Sequence, residues 1–129
     1  MIGILIVTHG EIGRSFIDSS SHILGKSIDL LECIPIDPKT DVMEIQKLIS
    51  NEIINFKQLS GVLIMTDIYG ATPSNLLTKF IIPGEVEVIT GLNLSMLIQA
   101  ISHRKSKLPE LVDVCIEYAK DGILKISDK

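Results

Sequence analysis

Residues 2–11 read Ile-Gly-Ile-Leu-Ile-Val-Thr-His-Gly-Glu, and this stretch decides how the rest of the chain folds. From Ile2 to Val7 no polar side chain interrupts the run. Alternation of polar and apolar residues arises only where one face of a sheet meets water, so an unbroken run is typical of a strand buried on both faces. The run ends at Thr8-His9-Gly10, and a helical pattern begins within two residues. An imidazole is therefore expected at the carboxyl end of a central strand, where open α/β sheets bind their ligands. The alternative is a histidine that only caps or fills a turn.

The composition is typical of one α/β domain. The 129 residues are 46% hydrophobic but only 4% aromatic, so the core must consist of Ile, Leu and Val. The net charge is −4, and the chain has no basic stripe, which argues against a nucleic-acid partner. An acidic protein that handles a phosphoryl group is expected to meet a basic surface on its partner.

The two cysteines and the N-terminal residues give indications about the cellular compartment of the protein. Cys33 and Cys115 lie inside apolar segments without a C-x-x-C pair, and are expected to be buried, reduced thiols in a cytoplasmic protein. Residues 2–7 are too short to span a membrane, and no basic region precedes them. Neither a signal peptide nor direct insertion into a membrane is expected.

Apolar spacing along the chain predicts alternating strands and helices. The predicted strands cover 2–7, 28–36, 61–66, 85–90 and 122–127, and the predicted helices cover 11–24 and 41–57 and follow Thr72, Asn93 and Pro109. This order indicates a doubly wound α/β fold with a mainly parallel sheet, right-handed crossovers and helices on both faces. The first and third strands are the most apolar, so both should be central, in the strand order 2-1-3-4.

Two side chains with useful chemistry are predicted to meet between those central strands. His9 follows the first strand and Asp67 follows the third. A neutral imidazole is a nucleophile near neutral pH, and attack by one ring nitrogen requires the other to carry the proton. A carboxylate that accepts this proton fixes the tautomer and stabilises the positive ring formed as a phosphoryl group arrives. We therefore predict His9 and Asp67 as the catalytic pair; the alternative for Asp67 is an N-cap or Asx turn.

A phosphoryl group also needs hydrogen-bond donors for its oxygens. Gly70, Ala71 and Thr72 lie before a helix that starts with proline, so backbone N–H groups are expected near the crevice. Thr66, like Thr8, ends a central strand and could line the pocket, whereas Thr72 could instead be an ordinary N-cap. The predicted phosphate-binding residues are Thr66, Gly70, Ala71 and Thr72.

Other chemistries find less support in the sequence. No G-x-x-x-x-G-K-[ST] motif is present, so nucleotide hydrolysis is not expected. His9 and Asp67 alone do not form a metal-ligand set, and no metal or other cofactor is predicted. His22 lies on a helix and His103 begins a basic helix end, so both are expected to be solvated.

Three ordered motifs resemble the mannose-family enzyme IIA domain of the bacterial phosphoenolpyruvate:sugar phosphotransferase system. They are Ile-Val-Thr-His-Gly at 6–10, Thr-Asp-Ile-Tyr-Gly-Ala-Thr-Pro-Ser-Asn at 66–75 and Thr-Gly-Leu-Asn-Leu-Ser-Met-Leu at 90–97. The resemblance covers essentially the whole chain, so residues 1–129 are expected to form a single IIA-type domain. It implies that His9 accepts a phosphoryl group on Nε2 from the phosphocarrier protein HPr, while Asp67 holds Nδ1. It also implies a histidine on a IIB component as the next acceptor, and a homodimer in which the C-terminal strand is exchanged and lies antiparallel on the partner's sheet.

The chain departs from the family pattern at a few positions. Ala71 and Thr72 stand where Gly-Ser is common, which preserves a small residue and a hydroxyl. Ser95 stands where Pro is common and bears on partner docking. No IIB domain follows Lys129, so a IIB component is expected in trans.

Two alternative functions remain open at this point. One is a regulatory module that senses phosphorylation state without sugar transport. The other is a histidine phosphatase, because Thr8-His9-Gly10-Glu11 resembles the Arg-His-Gly signature of those enzymes. That reading lacks the neighbouring arginine that would clamp phosphate, since Thr8 occupies its position.

Overall fold

Four parallel strands form one sheet in the order second, first, third, fourth. The structure, a computed structural model, describes residues 1–56, 59–68 and 72–129, with side chains outside 72–74. The strands are β1 (Gly3–His9), β2 (Leu31–Ile36), β3 (Val62–Thr66) and β4 (Val86–Ile89). The helices are α1 (Ile12–Leu24), α2 (Val42–Asn55), α3 (Thr72–Leu77), α4 (Leu94–Ser102) and α5 (Leu108–Asp121), and short 3-10 turns cover Thr78–Phe80 and Ile126–Asp128.

β1 is buried on both faces, as its sequence predicts. Ile4, Leu5, Ile6 and Val7 have no exposed surface. Ile4 and Ile6 join the apolar cluster formed with α1, α4 and α5, whereas Leu5 and Val7 join the cluster formed with α2 and α3. Full burial of each such side chain contributes about 1.5–3 kcal/mol. The alternating direction of strand side chains therefore explains why both faces require covering helices.

The predicted strand order 2-1-3-4 is confirmed. β1 pairs in parallel with β2 on one side and with β3 on the other, and β4 pairs with β3. The chain leaves β1 toward β2 and later returns past β1 to enter β3, so the connections that follow β1 and β3 diverge. The crevice predicted at this switch point therefore lies at the carboxyl ends of β1 and β3.

The turn from β1 into α1 depends on two glycines and one threonine. Gly10 has a φ of +52°, in the left-handed region, and open space surrounds the position of its missing side chain, so its task is the tight turn. A Cβ on Gly13 would lie 3.0 Å from Cγ2 of Ile6, so this glycine lets α1 approach β1 closely. The buried hydroxyl of Thr8 accepts a hydrogen bond from the N–H of Gly13 at 3.0 Å. Thr8 thus satisfies a donor at the start of α1.

The predicted strand over 122–127 is absent from the single chain. Residues 123–125 have no regular structure, and Ile126–Asp128 form a 3-10 turn. Ile123 and Ile126 are 77% and 84% exposed. The apolar pattern of this segment favours a strand, but a strand forms only beside an edge that completes its hydrogen bonds, and no such pairing occurs within the described chain. Exchange of this segment with a second chain stays a prediction.

Several smaller expectations also need correction. The second strand begins at Leu31 rather than at 28, because the preceding turn places Leu30 at a φ of 56°. Ile12 and Ile23 belong to the apolar spacing that predicts the helix over 11–24, yet they are 49% and 56% exposed. His103, expected in solvent, is half-buried and stacks on Tyr118 with 6.3 Å between the ring centroids.

The burial of the cysteines and the exposure of His22 agree more closely with the expectations from the sequence. Both Cys33 and Cys115 are free, and Cys115 is fully buried, whereas Cys33 is half-buried. Burial raises the pKa of the Cys115 thiol to about 12, so this thiol is protonated at neutral pH. His22 is exposed on α1, as predicted.

Arg104 joins three segments at the end of the sheet opposite His9. Although it lies in a basic stretch of sequence, it is only 7% exposed. Its Nε and Nη2 donate to the carbonyl oxygen of Ile2 at 3.0 and 2.8 Å. Nη1 donates to the carbonyl oxygen of Asp29 at 2.6 Å, and Nη2 also donates to that of Leu30 at 2.7 Å. The guanidinium thus connects the end of α4, the start of β1 and the turn before β2.

Replacing Arg104 by methionine tests this connection. Arg104→Met keeps an apolar stem but removes the charged donors to the carbonyls of Ile2 and Asp29, so we expect a loss of about 2–4 kcal/mol in unfolding free energy. Urea unfolding followed by circular dichroism measures the loss. Lys105→Met, at the neighbouring exposed cation, is the control and should change the value by no more than about 0.5 kcal/mol. Equal unfolding midpoints for the two variants would contradict the role assigned to Arg104.

Candidate functional site

His9 and Asp67, predicted from separate stretches of sequence, are in direct contact. Nδ1 of His9 lies 3.0 Å from Oδ2 of Asp67. The backbone N–H of His9 donates to the same oxygen at 3.1 Å. His9 is the last residue of β1 and Asp67 directly follows β3, so the parallel pairing of these strands brings the two residues to one edge. Two hydrogen bonds from one residue to one oxygen fix the imidazole relative to the carboxylate.

The second oxygen of Asp67 is also occupied. Oδ1 accepts a hydrogen bond from the N–H of Ile68 at 3.0 Å and one from Oγ1 of Thr66 at 3.4 Å. Burial by itself would raise the pKa of Asp67, but hydrogen bonds from the side chain and backbone of His9 outweigh it, and the pKa is lowered on balance. Asp67 is therefore ionised at neutral pH.

The ionised carboxylate determines which nitrogen of His9 carries the proton. A carboxylate only accepts hydrogen bonds, so in this contact the proton lies on Nδ1. Nε2 then holds a lone pair, and no described residue forms a hydrogen bond with it. The His9 side chain is 46% exposed, against 12% for that of Asp67. The arrangement therefore presents a nucleophilic nitrogen at the surface, as group transfer requires.

The remaining predicted site residues fall into two groups. Thr66 is fully buried, and its hydroxyl is directed at Asp67. Gly70 and Ala71 lie outside the described residues. Thr72 is the first residue of α3, but its side chain is not among those described. The phosphate-binding roles of all four stay predictions.

Two exposed apolar residues lie close in sequence to His9 and Asp67. Ile12 opens α1 three residues after His9, and Ile68 follows Asp67 directly; they are 49% and 58% exposed. Neither residue is among the site residues predicted from the sequence. The sequence signal that could have indicated Ile68 is its place directly after the aspartate that follows a strand, outside any periodic apolar pattern.

Metal binding and membrane crossing find no structural basis in the parts of the chain that the structure describes. Within 1–56, 59–68 and 72–129, no group of three or more His, Cys, Asp or Glu side chains could hold a metal ion. No helix in these ranges is both long and apolar enough to cross a bilayer.

Comparison with known proteins establishes the family. The family model described as "PTS system fructose IIA component" matches residues 3–115, which is most of the chain. The chain belongs to this family of phosphotransferase system IIA components. A curated relative, the "PTS system fructose-specific EIIA component" of Bacillus subtilis, is 26% identical over 106 residues, covering 81% of this chain and 72% of the relative.

Solved structures agree with this assignment. A phosphotransferase system component EIIA from Streptococcus agalactiae superposes over the full length of both chains with a TM-score of 0.87 and 28% identity. A PTS IIA protein associated with the fucose utilization operon of Streptococcus pneumoniae covers 98% of this chain and 94% of its own, with a TM-score of 0.86 and 22% identity. The second likeness concerns the fold alone.

Family membership establishes the general function. As a IIA component, the chain is a phosphotransfer protein of a sugar phosphotransferase system. Members of this family interact with phosphocarrier proteins and with IIB proteins. The exposed side chain of His9, with a lone pair on Nε2, suits that role.

The lowered pKa of Asp67 makes a prediction about acid stability. A carboxylate whose pKa falls on folding stabilises the folded state above its unfolded value of about 3.9, and this contribution disappears as the pH falls through the lower folded pKa. The advantage of the wild type over Asp67→Asn in unfolding free energy should therefore shrink between about pH 5 and about pH 2. Urea unfolding at several pH values measures it. Asp113→Asn, at an exposed carboxylate, is the control and should show no such trend; a wild-type advantage over Asp67→Asn that is independent of pH would contradict the prediction.

Proposed function

We propose that His9 accepts a phosphoryl group on Nε2 from phosphorylated HPr and passes it to a histidine of a separate IIB component. The observation that carries this proposal is the contact between Nδ1 of His9 and Oδ2 of Asp67 at 3.0 Å. It leaves Nε2 unprotonated and half of the side chain accessible to a partner. Membership of the IIA family supplies the class of reaction.

In the proposed transfer the phosphoryl group moves directly from one histidine to another, and the bonds and charges balance. The lone pair of Nε2 attacks the phosphorus of the donor phosphohistidine, and a new N–P bond forms as the donor's P–N bond breaks. The electron pair of the broken bond returns to the donor imidazole. The ring of His9 keeps its proton on Nδ1 and becomes positively charged, so the adjacent Asp67 carboxylate stabilises the product. Attack by a IIB histidine on the same phosphorus reverses these changes at His9.

We propose Gly70, Ala71 and Thr72 as donors to the phosphoryl oxygens. Support comes from the chain path, because the segment leaves Asp67 and reaches the first residue of α3 at Thr72. Backbone N–H groups at the beginning of a helix lack intrahelical acceptors and favour anions.

The proposed docking surface for HPr and for IIB includes Ile12 and Ile68. Both are exposed apolar side chains close in sequence to His9 and Asp67. An apolar contact beside a polar reaction centre suits a transient protein interface, in which buried apolar area contributes affinity and charges orient the partner. The net charge of −4 favours a partner with a basic surface.

We further propose a homodimer formed by exchange of the C-terminal segment. Ile123, Leu124 and Ile126 are 77%, 48% and 84% exposed, an unusual density of uncovered apolar side chains. β4 is an edge strand of the sheet, so its outer hydrogen-bonding groups could accept a strand from a second chain. The exchanged segment would cover both features at once.

Phosphorylation in vitro tests the role of His9. Incubation with phosphoenolpyruvate, enzyme I and HPr should label the wild type with an acid-labile phosphoryl group and leave His9→Ala unlabelled. Asp67→Asn should be labelled about 100-fold more slowly, because the tautomer of the ring is no longer held. His22→Ala, at an exposed histidine on α1, is the control and should be labelled normally.

The outcomes separate the candidate functions. Full labelling of His9→Ala would overturn the proposal. Transfer of the label to a IIB component supports the transport role, whereas retention with every IIB component offered would favour a regulatory role. Release of phosphate from a generic phosphomonoester, lost in His9→Ala, would favour a phosphatase. That function has little support, since Thr8 uses its hydroxyl to bind Gly13 and Arg104 is buried at the other end of the sheet.

Sedimentation equilibrium tests the homodimer. The wild type should be dimeric, and the double variant Ile123→Lys/Ile126→Lys should be monomeric, because two charges would enter the exchanged interface. Ile54→Lys, at an exposed isoleucine on α2 that is 59% accessible, should remain dimeric. A monomeric wild type, or a dimeric double variant, would contradict the exchange.

A further inference from the structure

We infer that Thr66 is a positioning residue: its buried hydroxyl holds Oδ1 of Asp67 and so keeps Oδ2 aligned with Nδ1 of His9. This inference rests on the proposed role of His9 as the nucleophile. It gives Thr66 a different task from the direct contact with phosphate that the sequence suggested.

Among the described residues, the hydrogen bonds to Asp67 divide evenly between its two oxygens. Within that set, Oδ2 accepts from the backbone and the side chain of His9, whereas Oδ1 accepts from the N–H of Ile68 and from Oγ1 of Thr66. The terminal torsion of an aspartate is broad, so a carboxylate with partners on one side can rotate. Partners on both oxygens restrict that rotation, and Thr66 supplies one of the two on the side away from His9.

The position of Thr66 explains how its hydroxyl can act in this way. It is the last residue of β3, pairs with Val7 of β1 and has no exposed surface. Water therefore cannot easily replace its hydroxyl, and branching at Cβ restricts its side-chain rotation. A buried hydroxyl is costly unless it forms a hydrogen bond, and Asp67 is the partner that satisfies this one.

Thr90 provides a natural comparison on the neighbouring strand. Met65 pairs with Ile89, so Thr66 and Thr90 are the next residues along β3 and beyond β4. The hydroxyl oxygen of Thr90 is buried, as is that of Thr66, but it forms no hydrogen bond with any residue that the structure describes. Replacing each threonine by valine therefore removes a buried hydroxyl in both cases, and a contact with Asp67 in only one.

The expected consequence concerns the tautomer of His9. Without the hydroxyl, the N–H of Ile68 is the one described donor left to Oδ1, and the carboxylate is freer to turn away from Nδ1. A larger share of the imidazole then carries its proton on Nε2, and this share cannot attack phosphorus. The contact of 3.4 Å is long for a hydrogen bond to a hydroxyl, so we expect a moderate effect, about 3- to 10-fold in the rate of phosphorylation.

The experiment compares Thr66→Val, Thr66→Ser and Thr90→Val in the full chain. The first readout is the pair of ¹⁵N chemical shifts of the two ring nitrogens of His9. They are recorded on the unphosphorylated protein at a pH high enough for the imidazole to be neutral. The second is the initial rate of labelling by phosphorylated HPr. We expect Thr66→Val to lower the share of the Nδ1–H tautomer and slow labelling, Thr66→Ser to restore both, and Thr90→Val to match the wild type. Thr66→Ala replaces Thr66→Val if the latter does not fold.

Two results would overturn the inference. If Thr66→Val and Thr90→Val gave the same ring shifts and the same rates, the hydroxyl of Thr66 would have no positioning role. If Thr66→Val slowed labelling without changing the ring shifts, Thr66 would act on the phosphoryl group itself. Failure of the proposed function would be distinct, because the wild type would then not be labelled while the ring shifts would still decide the role of Thr66.

Discussion

The burial of β1 on both faces is the constraint on which the rest of the structure depends. A strand with Leu5 and Val7 on one face and Ile4 and Ile6 on the other cannot lie at the surface, so it requires a neighbouring strand on each side and helices above and below. Once β1 lies between β2 and β3, the chain must change direction at its carboxyl end. The position of His9 at the switch point is therefore a direct consequence of how apolar the preceding residues are.

At this switch point, the chemistry proposed for His9 depends on the carboxylate of Asp67, both of whose oxygens accept hydrogen bonds. Asp67 receives two hydrogen bonds from His9 and two from its immediate sequence neighbours, Thr66 and Ile68. These bonds keep the carboxylate ionised although it is largely buried, and the ionised form in turn keeps the proton of His9 on Nδ1. In the proposed transfer, Nε2 of His9 needs no base at the moment of reaction, because it carries no proton. This suits a protein that both receives and returns the same group.

The opposite end of the sheet is stabilised by hydrogen bonds from Arg104 to the backbone. Arg104 is buried, and its guanidinium donates hydrogen bonds to the carbonyl oxygens of Ile2, Asp29 and Leu30. One side chain from the end of α4 thus connects segments that are distant in sequence. Exposed apolar residues include Ile12 and Ile68, which are close in sequence to His9 and Asp67, and Ile123 and Ile126 in the C-terminal segment. These two groups belong to the surfaces proposed to meet other proteins.

The sequence by itself determined the parallel sheet, its strand order and the pairing of His9 with Asp67, because these follow from unbroken apolar runs and from what stands at their ends. The helix starts predicted at 41 and after Asn93 agree with the structure, in which the side chains of Asp41 and Asn93 accept from the N–H of Met43 and Met96. Local patterns could not reveal the burial of Arg104, which depends on carbonyls contributed by other segments, or the direction of the buried Thr66 hydroxyl toward Asp67. The C-terminal segment is the clearest case. Its apolar spacing favours a strand, yet a strand needs an edge to pair with, and only the tertiary structure shows that this segment pairs with no described edge of its own chain.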